Sequence, residues 1–573
     1  MRPRRAFHRQ TKETTVKRSL ACAFFAILAT TSAVVGCGGD GSSTPKAATA
    51  DPALVPTQQG PVKGVEANGV QTFLGIPYAA PPVGALRWEP PTPALARSGT
   101  LDASQPGSDC VQAGATPTSA PDGAEDCLYL NVYRPAAPSA TPLPVIVAIH
   151  GGGFTLGSAL FIDGTSLARD NGVIVVAMNY RLNALGFLAH PALSAEDAAT
   201  HASGNFGLMD QSAALAWVAR NIASFGGDPA NVTITGGSAG GLSVFSHLVS
   251  PMSAGLFAKA APQSGGFSRL QEPLAQGESD GSAFAAPWNC NAAGSNAEVA
   301  TCLRAVPAAA TLTGALPAPL SGTGNLNAWL PIVDGRFMTT STSTAFSAGN
   351  FAKVPLMAGF VDDEGTFFVS AAFGQAPISD ATYLPVGIQG YLGIADPGAA
   401  GDIATTLYPT ASYATPNQAL ARVYGDYRVI CGILQDTDAI AAALPAAAQA
   451  YVYQFSEKNP YTDANSLSSR LPPNDTIVYG AFHGSDLDYW FDQLTTNPTA
   501  QELQLAQTMS NALAAFAKTG NPNAAGAAPL WQPYSAGQRA VLSLSHSEIN
   551  AGFDAYTPHQ CAFWYGQPPS THL

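Results

Sequence analysis

One eleven-residue stretch restricts the fold more than any other: Asn231-Val232-Thr233-Ile234-Thr235-Gly236-Gly237-Ser238-Ala239-Gly240-Gly241. Val232 to Thr235 reads as a buried β-branched strand, the glycines as a tight turn, and the residues from about Leu242 onward as a helix. Ser238 stands at the centre of Gly-x-Ser-x-Gly. A strand-to-helix turn of that kind holds its serine in a strained backbone, so the flanking residues must be small, and it lifts the hydroxyl clear of the sheet. Glycine fills 56 of 573 positions, so the pentapeptide alone is a weak signal, and its context carries the argument.

That context alternates strands with helices. Val145–Ile149 and Val173–Met178 are continuous apolar runs, as expected of parallel strands covered on both faces. Leu208–Ile222 reads as a helix ahead of the Ser238 strand, and Val354–Phe360 and Ala450–Phe455 read as further central strands. The expectation is an α/β fold with a large, mostly parallel sheet flanked by helices, beginning near Val55 and continuing to residue 573 as one domain. Hydrophobic residues at 46% against 11% charged supply ample core.

The ends and the charge bear on location. Arg2, Arg4, Arg5, Arg9, Lys12, Lys17 and Arg18 precede an apolar segment, Leu20–Val35, too short to span a bilayer at about 20 residues. It ends in Val34-Val35-Gly36-Cys37, which resembles a bacterial lipobox. Residues 1–36 are therefore expected to be a lipoprotein-type signal peptide, with Cys37 the lipidated residue and 37–54 a Gly/Ser/Pro/Ala tether. The expected location is the bacterial cell envelope, with Gly38 after the cysteine pointing to the outer membrane; a secreted or periplasmic protein is the alternative. Net charge is −13; residues 1–36 carry +6, leaving −19 on the rest. So acidic a body argues against nucleic acid as a partner, and against membrane contact other than through the lipid.

Apart from Cys22 within the signal segment and Cys37, six cysteines remain of eight, and they permit 15 pairings. Short loops favour Cys110–Cys127 and Cys290–Cys302, leaving Cys431–Cys561, which suits an oxidising compartment. No cysteine or histidine spacing suggests a metal and no glycine-rich loop a nucleotide, so no cofactor is expected.

An activated serine needs a base, and the base an orienting acid, in the order Ser, Asp or Glu, His for this type of turn. His483, His546, His559 and His572 lie downstream of a carboxylate candidate. His483, in Gly480-Ala481-Phe482-His483-Gly484-Ser485-Asp486, has the loop setting a base requires. Asp362, Asp363 and Glu364 follow the Val354–Phe360 strand, and position alone does not choose among them. His150-Gly151-Gly152-Gly153, after the Val145–Ile149 strand, is the arrangement in which backbone N–H groups receive an oxyanion.

Taken together the motifs resemble the type-B carboxylesterase family, which includes cholinesterases and p-nitrobenzyl esterases, from about Gly60 to Trp564. Glu125-Asp126-Cys127-Leu128-Tyr129-Leu130-Asn131-Val132, Phe225-Gly226-Gly227-Asp228-Pro229 with the serine turn, Asn179-Tyr180-Arg181-Leu182, Gln263-Ser264-Gly265 and Pro331-Ile332-Val333-Asp334-Gly335 carry the resemblance. It implies the α/β-hydrolase fold, with inserted loops and helices forming an active-site gorge. It implies a carboxylic ester hydrolase working through an acyl-enzyme, with Ser238 as nucleophile, Glu364 as acid and His483 as base. The implied oxyanion donors are the N–H groups of Gly152, Gly153 and Ala239, and the implied disulfides are the three pairs above. Small-molecule or polymeric esters are the implied substrates. Amides, carbamates and polyesters are alternatives on the same machinery, and a non-catalytic binding protein is the alternative of another class.

Three departures stand out. Gly237 replaces the glutamate usual before the nucleophile, and residues 110–127 contain no tryptophan, so choline esters are poor candidates. Asn325 and Asn327 stand where cholinesterases carry acyl-pocket phenylalanines, so a roomier or more polar acyl pocket is expected.

Overall fold

The computed structural model describes residues 51–567 apart from 115–119, 293, 313–328, 375, 462–475 and 524–528. Residues 1–36, Cys37, most of 37–54, Asn325 and Asn327 lie outside the described residues. The compact unit spans Asp51–Leu573.

Strands β1 (Leu54–Val55), β2 (Val62–Lys63), β3 (Val65–Ala67), β4 (Val70–Pro77) and β5 (Leu101–Asp102) open the chain. They are followed by β6 (Tyr129–Pro135), β7 (Leu143–Ile149), β8 (Ile174–Met178), β9 (Gly227–Gly237) and β10 (Lys259–Gln263). The last four are β11 (Leu356–Val361), β12 (Ala450–Phe455), β13 (Val541–Leu544) and β14 (Ile549–Phe553). β1, β2 and β5 form a small sheet; the others form an eleven-stranded sheet in the order β14-β13-β12-β11-β10-β9-β7-β8-β6-β4-β3. From β8 to β13 every neighbouring pair is parallel, and the antiparallel pairs lie toward the two edges.

The central strands are legible because both faces are covered. All five residues of β8 are fully buried. Along β7, Val145, Val147 and Ile149 enter one hydrophobic cluster while Ile146 and Ala148 enter the other, on the opposite face. The helix Phe206–Asn221 fulfils the expected crossover before β9. The long helix Ala500–Thr519 is bounded by a capping box of Thr499 and Glu502 and by left-handed Gly520.

β7 lies between β8 and β9, so the chain moves one way across the sheet after β7 and then returns on its other side. In open α/β sheets the crevice beyond the carboxyl ends at such a reversal is where ligands bind. The Gly151–Gly153 loop leaves β7 there and Ser238 leaves β9 there, with Ile149 paired to Gly236.

One local expectation needs correction. The helix after the serine begins at Ala239, not near Leu242. Gly240 and Gly241 take the helical path because no larger residue fits: a Cβ on Gly240 would lie 2.1 Å from the Ile149 carbonyl oxygen, and one on Gly241 2.3 Å from that of Gln263. The stretch Pro377–Pro397 contains the helical turns Asp380–Thr382 and Tyr383–Tyr391.

All three expected disulfides are present: Cys110–Cys127, Cys290–Cys302 and Cys431–Cys561. Among the described residues no helix is long and apolar enough to cross a membrane.

Candidate active site

Ser238 is half-buried at the end of β9, with φ 58° and ψ −122°. That conformation costs a non-glycine residue about 1–3 kcal/mol and persists only where its surroundings impose it. Here they do. The Ser238 N–H donates to the Gln263 carbonyl at 2.8 Å, and the Ser238 carbonyl accepts from Leu242 N–H at 2.9 Å. A Cβ on Gly236 would lie 2.5 Å from the Ile149 oxygen.

The glycine loop packs directly against this turn. A Cβ on Gly151 would meet the Gly237 oxygen at 2.7 Å and the Ser238 Cβ at 3.1 Å. Gly152 and Gly153 have φ of 109° and 60°, and a Cβ on Gly152 would lie 2.1 Å from the Leu156 oxygen. Their N–H groups thus belong to a backbone only glycine can follow at that distance. His150 ahead of them is buried, its ring stacked on Tyr180 at 4.3 Å, and its pKa is pushed down to about 4 by burial. As a neutral imidazole its Nδ1–H donates to the Gly151 carbonyl at 2.8 Å, fixing the loop's first peptide.

Of the three carboxylates after β11, the geometry singles out one. Glu364 is fully buried; its Oε2 lies 2.5 Å from His483 Nδ1 and its Oε1 accepts Val361 N–H at 3.0 Å. Asp362 pairs with Arg422 at 3.0 Å and Lys458 at 2.5 Å. Asp363 pairs with Lys458 at 3.0 Å. His483 packs on Phe368, with ring centroids 4.7 Å apart, and its Nε2 is buried with no hydrogen-bond partner among the described residues. The other downstream histidines are committed elsewhere: His559 to Asp426 at 2.6 Å, and His546 to Glu457. His572 lies outside the described residues.

The histidine segment abuts the serine turn: a Cβ on Gly237 would lie 2.6 Å from Leu487. Leu487 therefore fills the space a side chain at position 237 would need. A cavity of about 50 Å³ opens beside it, walled by Gly151, Gly237, Gly484, Ser485, Leu487 and Phe491. Ser485 Oγ is buried without a hydrogen-bond partner among the described residues.

Sequence reasoning missed two contributors. Gln263 appeared only as part of a motif, yet its carbonyl anchors the Ser238 backbone. Asp486 likewise closed the His-Gly-x-Asp motif without a role. It is buried, accepts Tyr453 O–H at 2.7 Å and Trp490 Nε1–H at 3.2 Å, and burial raises its pKa to about 6.

A mostly parallel sheet that delivers a strained serine and a glycine loop to one reversal of its strand order, with a carboxylate-bound imidazole on the segment that abuts the serine turn, is the α/β-hydrolase architecture. Comparison with known proteins narrows the class. Residues 51–564 match the model of the carboxylesterase family, and the chain belongs to that family. It is 34% identical to a fumonisin B1 esterase of Sphingopyxis macrogoltabida, over 88% of this chain and 89% of the relative. It is 34% identical to a para-nitrobenzyl esterase of Bacillus subtilis (strain 168), over 87% and 95%, and 32% identical to a cholinesterase of Mus musculus, over 91% and 87%. A solved PNB esterase structure superposes with a TM-score of 0.73 at 31% identity, covering 89% of this chain and 99% of that one. The protein is a carboxylic ester hydrolase.

Proposed function

We propose that Ser238, His483 and Glu364 form the catalytic triad, with Gly152, Gly153 and Ala239 as oxyanion donors. The observation that carries this reading is the buried 2.5 Å contact between Glu364 and His483 Nδ1, which leaves the unpartnered Nε2 as the imidazole's free basic atom. His483 takes the Ser238 proton as Oγ attacks the ester carbonyl, and Glu364 stabilises the imidazolium. The glycine-loop and Ala239 N–H groups hold the oxyanion. His483 then returns its proton to the departing alcohol and activates the water that releases the acyl group. Ser238→Ala and His483→Ala should each lower kcat by up to about 10⁶. Activity within tenfold of wild type in either would end the reading.

Ester cleavage at a neutral alcohol is favoured over cationic alcohols. Leu487 occupies the place a side chain at 237 would take, so the glutamate usual at that position is absent and has no room. Matched butyrate esters of neutral and quaternary-ammonium alcohols test this; an equal or higher kcat/KM for the quaternary ester would contradict it. The acyl side is proposed to be roomier or more polar, with Asn325 and Asn327. A rate that collapses for every acyl chain longer than acetyl would contradict that.

The N-terminal segment is proposed to export the protein to the envelope, with Cys37 lipidated and the tether linking it to the hydrolase body. The three disulfides support an oxidising compartment. Mass spectrometry of the mature protein should show Cys37 as its acylated first residue; a mature form beginning elsewhere would refute the anchor.

A further inference from the structure

We infer that Asp363 is a positioning residue that locks the histidine segment to the acid turn; this rests on the triad reading above. Glu364 reaches His483 across 119 residues of sequence, so the 2.5 Å contact needs the two segments held in register. Asp363, the residue before Glu364, grips Ala481, two residues before His483, from both sides. Its backbone N–H donates to the Ala481 carbonyl at 2.9 Å. Its carboxylate Oδ2 accepts the Ala481 N–H at 3.0 Å.

Three further features serve the same junction. Thr366 Oγ1 lies 2.7 Å from the Asp363 carbonyl and 2.9 Å from that of Tyr479. Ser370 Oγ and the Tyr479 hydroxyl are 2.6 Å apart. Gly480 has φ 57°, and a Cβ there would lie 2.1 Å from Asp363 Oδ2. The glycine thus admits the carboxylate to the Ala481 N–H. Lys458, at 3.0 Å, balances the charge of Asp363.

The chemical consequence is geometric. His483 must keep Nδ1 on Glu364 while Nε2 reaches both Ser238 Oγ and the leaving oxygen, and a 1 Å misplacement of such a group can cost about 10²-fold in rate. Asp363 touches neither substrate nor reacting atoms on this reading. Its loss should therefore slow the chemistry and spare binding.

The test uses the full mature chain and a soluble p-nitrophenyl ester. Asp363→Ala is expected to lower kcat about 30- to 100-fold with KM within twofold of wild type and an unchanged near-ultraviolet circular dichroism spectrum. Asp363→Asn keeps an oxygen for the Ala481 N–H and is expected to stay within about threefold of wild type. Gly480→Ala, which displaces the carboxylate but keeps its charge, is expected to follow Asp363→Ala. A wild-type kcat in Asp363→Ala, a change confined to KM, or an Asp363→Asn enzyme as slow as the alanine variant would each overturn the proposal. Organophosphate labelling of wild-type Ser238 tests the triad separately: labelled wild type with a fully active Asp363→Ala variant would refute the lock alone.

Discussion

Replacing Glu364 by glutamine should disable the base rather than merely weaken it. Glu364 spends one oxygen on the Val361 N–H at 3.0 Å and the other on His483 Nδ1 at 2.5 Å. A glutamine has one oxygen, and turning its amide nitrogen toward the Val361 N–H would set donor against donor. The amide N–H₂ therefore faces Nδ1, which must present a lone pair, and the ring proton moves to Nε2. That is the atom required to accept the serine proton. The variant also loses attraction to the imidazolium. Unit charges about 4 Å apart at an effective dielectric of about 20 interact by about 4 kcal/mol. At about 1.4 kcal/mol per decade this is about 10³ in kcat, with KM little changed because Glu364 is fully buried. The assay is initial rate against substrate concentration from pH 6 to 9. Asp362→Asn is the control, since Asp362 pairs with Arg422 and Lys458 rather than with the histidine. A Glu364→Gln enzyme within tenfold of wild-type kcat, or an Asp362→Asn loss of equal size, would refute the reasoning.

Other perturbations have defined outcomes. Gly240→Ala places a Cβ 2.1 Å from a backbone oxygen and should cost about 1–3 kcal/mol by chemical denaturation, with a fall in kcat as the serine turn shifts; unchanged stability and rate would contradict the packing argument. Burial raises the Asp486 pKa from 3.8 to about 6, so its contribution to stability is present below pH 3.8 and is lost as pH rises through 6. Asp486→Asn escapes that loss, and its stability relative to wild type should rise between pH 4 and 7 by up to about 3 kcal/mol; a pH-independent difference would contradict the shift. Cys431→Ser with Cys561→Ser opens a cross-link across 130 residues and should cost about 4–5 kcal/mol in the chain-entropy account, read as a lower denaturant midpoint.

The central strands were legible because burial on both faces writes an uninterrupted apolar run, as in Ile174–Met178. The first turn of the helix after Ser238 was not, because Gly240 and Gly241 have low helix propensity and are there for the neighbouring carbonyls of Ile149 and Gln263. The acid was ambiguous for a similar reason. Asp362, Asp363 and Glu364 are adjacent carboxylates, and only their tertiary partners (Arg422, Ala481 and His483) tell them apart. His559 shows the converse hazard: it too is buried against a carboxylate, Asp426, at 2.6 Å, yet Gln454 holds its other nitrogen at 3.2 Å and leaves no free base. Resemblance to a family selected Glu364 and His483; the spacing of residues by itself did not.

The central claim is that the fold activates Ser238. Its most direct test is covalent trapping with an organophosphate ester, read by peptide mass spectrometry of native and heat-denatured protein. An adduct on Ser238 in the native sample alone is the expected result. A well-folded sample with no adduct, or one modified equally at other serines, would contradict the account.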